Sequence, residues 1–192
     1  MFEQIKSYFL KFIPLDDAQW ALIASGLEKI VVSKKSILLH AGEVCRHAWF
    51  INSGCLRYYY NTHDGMEITG YIFTENSFVS SFGSFVSRQP STQSIDAIED
   101  SELIVISYDH MLKLYENIPQ MERFGRLLAE NIVVGSQMRT ASLLVDDPDT
   151  RYQKLLRERP ELIIRIPHYY IASYLGVKPE TLSRIRKRLS EK

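Results

Sequence analysis

The stretch IASYLGVKPETLSRIRKRL, Ile171 to Leu189, sets two short apolar patterns either side of a glycine and closes on a run of cations. Ile171, Ala172 and Leu175 fall on one face of a short helix. Gly176 follows, a residue that ends helices in a left-handed conformation at little steric cost. Val177 is apolar within the turn and is placed to plug the gap between two crossing helices. Pro179 suits the first position of a second helix, where the early N–H groups have no intrahelical partner. Glu180 complements the positive end of that helix's dipole. Leu182, Ile185 and Leu189, spaced i, i+3, i+7, face the core. At roughly 100° per residue, Glu180, Ser183, Arg184 and Lys187 lie on the opposite side, with Arg188 at its edge. This is a helix-turn-helix pattern with a polar and basic outer face.

The charge of the chain is divided. Lys and Arg total 23, and so do Asp and Glu. Residues 165–192 hold seven cations and two anions, which leaves 16 cations and 21 anions before them: an acidic body (−5) with a basic tip (+5). Cations attract phosphate without regard to base sequence. Reading the bases takes side chains that reach their edges. Arg184 offers two donors to a guanine, and Glu180 accepts from cytosine N4 or orients that arginine. The expected DNA-contacting set is Glu180, Ser183, Arg184, Lys187 and Arg188.

Upstream, residues 119–144 carry no internal proline, and Met121, Phe124, Leu128, Ile132, Gly135 and Met138 recur at helical steps. The helix they predict is about 37 Å long, more than a small domain needs to cover its own face. The surplus apolar length points to the same helix from a second copy. Val145-Asp146-Asp147-Pro148-Asp149 reads as a hinge. From Ile30 to Ile106 the pattern is instead a series of short aromatic and β-branched segments broken by turn signals, among them AGE, NSG and the Asp64-Gly65 hairpin signal. In CLRYYYN, Leu56, Tyr58 and Tyr60 share one face and Cys55, Arg57 and Tyr59 the other. The first 27 residues read as helical after an Asp16–Asp17 start, with Trp20, Ile23 and Leu27 at helical spacing.

The fold expected is α+β: an N-terminal β-roll (double-stranded β-helix), a long helix, and a C-terminal helix-turn-helix. The domain bounds expected are 1–118, 119–144 and 145–192. A hydrophobic fraction of 45% with 24% charged residues is ordinary for a soluble globular chain, and no apolar run approaches the roughly 20 residues that span a bilayer. Glu3, Lys6 and Lys11 interrupt the apolar residues of the N-terminus, unlike a secretory signal. A cytoplasmic protein is expected, with Cys45 and Cys55 as free thiols. Two cysteines are too few for an iron–sulfur cluster, and His40, His47, His63, His110 and His168 never form the His-x-His spacing of a cupin-like metal enzyme. Neither a metal site nor enzymatic activity is expected. Haem would rest on His40, His47 or Cys45, and a lone turn histidine is more commonly structural.

In the order of its parts the chain resembles the CRP/FNR family of bacterial transcription regulators. ILLHAGE followed by HAWFINSGCLRYYY is similar to the strand, Gly-Glu turn and Ile-x-x-Gly strand of that family's cyclic nucleotide-binding-like domain. Glu180, Thr181 and Arg184 occupy its Glu-Thr-x-x-x-Arg motif, which adds Thr181 to the DNA-contacting set. The resemblance implies a homodimer joined through the 119–144 helices, a near-palindromic site on double-stranded DNA, and RNA polymerase as a further partner. Members that bind cyclic nucleotides carry a Gly-Glu-x-Gly turn and an Arg-Ser pair. Here Ser80-Ser81-Phe82-Gly83 and Ser91-Thr92 stand in those places, without the ribose-binding glutamate or the phosphate-binding arginine. A cyclic nucleotide is therefore not expected, because burying a phosphate without a paired cation is costly. Ser81, Gly83, Ser91, Thr92 and Ser136 are the effector-pocket candidates, and the cofactor is left unnamed. Only Ser190-Glu191-Lys192 follow the second helix, so the family's β-hairpin wing is not expected. The competing reading is a ligand-binding or protein-interaction module on a cupin-like β-roll, without specific DNA binding.

Overall fold

Turn signals every few residues between Leu27 and Ser107 break the chain into strands too short to stand alone, and they pair into two sheets that share one core. The computed structural model describes residues 2–190. Helices α1 (Glu3–Leu10) and α2 (Asp17–Ala24) precede strands β1 (Leu27–Val32), β2 (Ile37–Leu39), β3 (His47–Ser53), β4 (Leu56–Asn61), β5 (Glu67–Phe73) and β6 (Phe78–Val79). A short helix α3 (Phe82–Ser87) is followed by β7 (Ser94–Ala97), β8 (Ser101–Ser107), α4 (Tyr108–Asn117) and α5 (Pro119–Val145). The strands form two antiparallel four-stranded sheets, ordered β1-β8-β3-β6 and β2-β7-β4-β5. Phe50, Leu56, Ile95, Leu103 and Ile104 are fully buried within this roll.

The Thr62–Gly65 turn joins β4 to β5, with Gly65 at φ +81° and the Thr62 N–H donating to the Met66 carbonyl at 2.9 Å. Register then slips: Tyr58 pairs with Tyr71 but Tyr59 with Thr69, which leaves Gly70 as the extra residue of a bulge. A Cβ on Gly70 would lie 2.0 Å from Tyr58 Cε2, so the ring takes the space any other residue needs.

The helical reading of the first 27 residues is corrected in two places. Pro14 cannot continue a helix, and Asp16 opens a new one through a capping box with Gln19, so α1 and α2 are separate. Leu27 is already in β1, paired with Ile106. The ring of Phe9 on α1 lies 4.5 Å from that of Phe124 on α5, centroid to centroid, and anchors α1 beneath the long helix.

Helix α5 has 27 residues, about 40 Å, and ends at Val145, one residue past the expected bound. Its apolar stripe splits in two. Met121 and Phe124 are buried and Leu128 packs against the core, whereas Ile132, Gly135 and Met138 are exposed. Asp147 then caps α6 (Pro148–Glu158), accepting from the Thr150 N–H at 2.8 Å, and α7 (Pro160–Arg165), α8 (His168–Tyr174) and α9 (Pro179–Ser190) follow.

These last helices do not hang free of the roll. Tyr170, Ile171 and Tyr174 join Cys55, Ile72 and Ile98 in a second apolar cluster on the outer side of sheet β2-β7-β4-β5. Both faces of β4 are therefore covered. Arg57 and Tyr59, on the face opposite Leu56, are buried along with it.

Candidate nucleic-acid interface

Helix α8 ends as its glycine requires. Gly176 takes φ +67°, its N–H donates to the Ser173 carbonyl at 3.0 Å, and the Val177 N–H reaches the Ala172 carbonyl at 3.0 Å. This paired closure satisfies carbonyls that a helix end otherwise orphans. Val177 is half-buried against the second cluster, which fixes the crossing of α8 and α9. On α9, Leu182 and Ile185 are buried and Leu189 packs beside them, so the apolar triad faces inward.

The opposite face carries Glu180, Ser183, Arg184, Lys187 and Arg188, all exposed, with Thr181 half-buried at the start of the helix. The Arg184 guanidinium donates to Thr181 Oγ1 at 3.1 Å, which holds it over the first turn. Arg188 pairs with Asp149 at the start of α6. The structure thus brings all six of the expected contact residues to one helix, with two of the arginines held by neighbours. Glu191 and Lys192, where the wing would begin, lie outside the described residues.

The effector-pocket candidates converge only in part. The Ser81 and Ser91 hydroxyls, both buried, lie 2.8 Å apart, and Ser91 donates to the Gln93 carbonyl at 2.6 Å. Gly83, Thr92 and Ser136 are exposed, the last on the emerged part of α5. Arg88, near these serines in sequence, has φ +60° and donates to the carbonyls of Cys45 (2.9 Å) and Phe85 (3.3 Å). Its guanidinium stacks on Tyr108 at 4.1 Å. Cys45 and Cys55 are free and buried, and among the described residues no group of three or more His, Cys, Asp or Glu side chains is placed to hold a metal ion.

What the sequence did not single out is the contact between the two halves. Arg57, on β4, donates through Nε to Asp96 at 2.8 Å, through Nη1 to Thr69 at 3.2 Å, and also bonds Glu67. Burial opposes its charge, but Asp96 and Glu67 overcome it and raise the guanidinium above its ordinary pKa. Its planar group lies 4.1 Å from the Tyr59 ring and 4.3 Å from that of Tyr170 on α8. Arg165, closing α7, bonds both Glu75 and Glu99 of the roll. The only trace of this in the sequence is the alternation in CLRYYYN, which puts Arg57 and Tyr59 on the face away from Leu56 without saying what lies against it.

Residues 29–117 match the model of the cyclic nucleotide-binding domain. Over nearly its whole length the chain superposes on regulators of the CRP/FNR type. It has the CRP/FNR fold. FixK2 from Bradyrhizobium japonicum matches with a TM-score of 0.75 at 17% identity, over 86% of this chain and 85% of that one. A protein of the crp/fnr family from Eubacterium rectale matches at 0.73 and 22% identity, over 94% and 88%. CLP of Xanthomonas campestris, described as a c-di-GMP-responsive global regulator, matches at 0.72 and 17% identity, over 92% of each chain. No curated protein matches the sequence. Among the described residues no helix is long and apolar enough to cross a membrane.

Proposed function

We propose that this CRP/FNR-fold chain is a non-enzymatic, cytoplasmic transcription regulator that reads double-stranded DNA through α9. The observation that carries this reading is the exposed face of Glu180, Ser183, Arg184 and Lys187 opposite a buried apolar triad. That division leaves one side of the helix for a major groove. Residues 1–118 serve as the sensor, 119–144 as the dimerisation helix and 145–192 as the reader. Two copies joined through α5 place two α9 helices on a near-palindromic site with half-sites about 34 Å apart. RNA polymerase is the further partner that regulation from such a site implies.

The sensor half takes a standard cyclic nucleotide poorly in this reading. The Arg-Ser pair is replaced by Ser91-Thr92, and Arg88 is already spent on Cys45, Phe85 and Tyr108. Ser81, Gly83, Ser91, Thr92 and Ser136 stand as the candidates for whatever effector is used.

Selection from random duplex DNA with the full chain tests the reading. It is expected to yield one inverted-repeat sequence, and Arg184→Ala is expected to lose about 1–3 kcal/mol of discrimination at one base pair of each half-site. The same variant should leave the dimer intact. An Arg184→Ala chain that still selects the same sequence as strongly sinks the assignment of α9.

A further inference from the structure

The two halves of the chain are joined twice, through the hinge at residues 146–147 and through a contact on the outer side of sheet β2-β7-β4-β5. Within that contact Arg165 lies between Glu75, in the loop after β5, and Glu99, in the loop after β7. Its Nη1 and Nη2 reach the two Glu75 oxygens at 2.8 and 2.6 Å, and its Nε reaches the Glu99 oxygens at 3.0 and 2.8 Å. Beside it, Arg159 donates to the Ile72 carbonyl at 2.8 Å, and the Thr69 N–H donates to Ser173 Oγ at 2.8 Å. We propose that the Arg165–Glu75–Glu99 cluster is a latch holding the DNA-reading domain against its own sensor, and that DNA competes with it. The latched chain is then the form of lower DNA affinity. The inference rests on the reading of α8–α9 as a DNA reader.

Three observations carry it. The first is charge: this is where the acidic body meets the basic tip. Glu75 and Glu99 bond a cation of the reader directly, so their negative field opposes the approach of phosphates that the reader's cations attract.

The second is that the reader keeps a core of its own when it leaves. Tyr152, Leu155, Leu162, Ile166, Ile171, Leu175, Leu182 and Ile185 all belong to it, whereas the roll lends the cluster Cys55, Ile72 and Ile98, with Tyr71 packed against them. The latch itself is polar and partly open, with the three side chains between 26% and 31% exposed, as in contacts between domains that move.

The third is a cost within the docked state. Arg139 of α5 lies 4.0 Å over the Tyr174 ring and donates to the Tyr174 carbonyl, yet its Nε is buried without a partner. A buried unpaired donor is unfavourable, and moving α8 away from α5 returns it to water.

The test uses the full chain and random-sequence duplex DNA at fixed salt. Glu75→Gln with Glu99→Gln removes both charges but retains the shape and the Glu75 acceptor that the Gly54 N–H uses at 2.9 Å. This double variant is expected to bind the duplex about tenfold more tightly, the gain from removing a tenfold bias toward the latched state. In the unaltered chain, amide hydrogen exchange at Thr69 reports the latch without any substitution. Adding the duplex should speed it, because the Ser173 acceptor leaves with the reader. Unchanged or weaker binding by the double variant overturns the latch, and so does a Thr69 amide that stays protected in the DNA complex. If neither chain binds the duplex at any salt, the DNA reading itself falls and takes the latch with it.

Discussion

Arg57 is 2% exposed and sits between two tyrosine rings with Asp96, itself 6% exposed, as its charge partner. A pair this deep has paid its desolvation, so removing one member leaves the other charged and alone. Arg57→Ala is expected to cost about 3–5 kcal/mol in a urea titration. Arg57→Met combined with Asp96→Leu should recover most of that loss. A single-variant cost below about 1 kcal/mol would show that water reaches Asp96 and that the pair is not what holds this face. This residue also marks a limit of the sequence. Alternation in CLRYYYN assigns Arg57 and Tyr59 to the face away from Leu56, which is correct. It does not reveal that another part of the chain, more than 100 residues on, covers that face. Gly70 is similar: its place opposite Tyr58 follows from a one-residue slip in pairing that no local pattern encodes.

At the scale of elements, strong periodicity over many residues translated well and short patterns less so. The apolar triad of α9, the glycine that ends α8 and the extent of α5 all follow from spacing, because each is decided within a few neighbouring residues. The first 27 residues do not, since Pro14 and the Asp16 cap end one helix and start another. The outer part of α5 provides a direct test. Val134 is 54% exposed and Met138, four residues on and therefore one turn away on the same side, 70%. Two such side chains on a helix with no cover in its own chain are where the proposed second copy would pack. Val134→Asp with Met138→Asp is expected to leave the monomer folded and to shift sedimentation from dimer to monomer at micromolar concentrations. A variant that still sediments as a dimer would move the proposed contact off α5, and an unaltered chain that sediments as a monomer would remove the proposed dimer.

At the scale of the molecule, the sequence shows that the halves are oppositely charged and is silent on whether they touch. Pairing across 66 and 90 residues, as between Arg165 and its two glutamates, leaves no local signature. Its consequence is legible in acid. Hydrogen bonding from the Arg165 guanidinium, against the opposing effect of burial, holds the Glu75 carboxyl down at about 2, from an ordinary 4.5. A carboxylate whose folded pKa is depressed binds fewer protons in the folded chain than in the unfolded one between those two values. Its stabilisation is therefore complete above pH 4.5 and drains away as pH falls through about 2. Because Glu75 bridges the roll and the reader, the contact between them is expected to weaken first, while the core of the roll and the apolar residues within the reader stay packed. Between pH 5 and pH 2, then, exchange at Thr69 corrected for its intrinsic rate should accelerate before the core amide of Ile104 does. In Glu75→Gln, Thr69 should exchange faster at pH 5 and vary less over the same interval. Equal acceleration at Thr69 and Ile104 in the unaltered chain would mean that the two halves come apart only when the whole molecule unfolds.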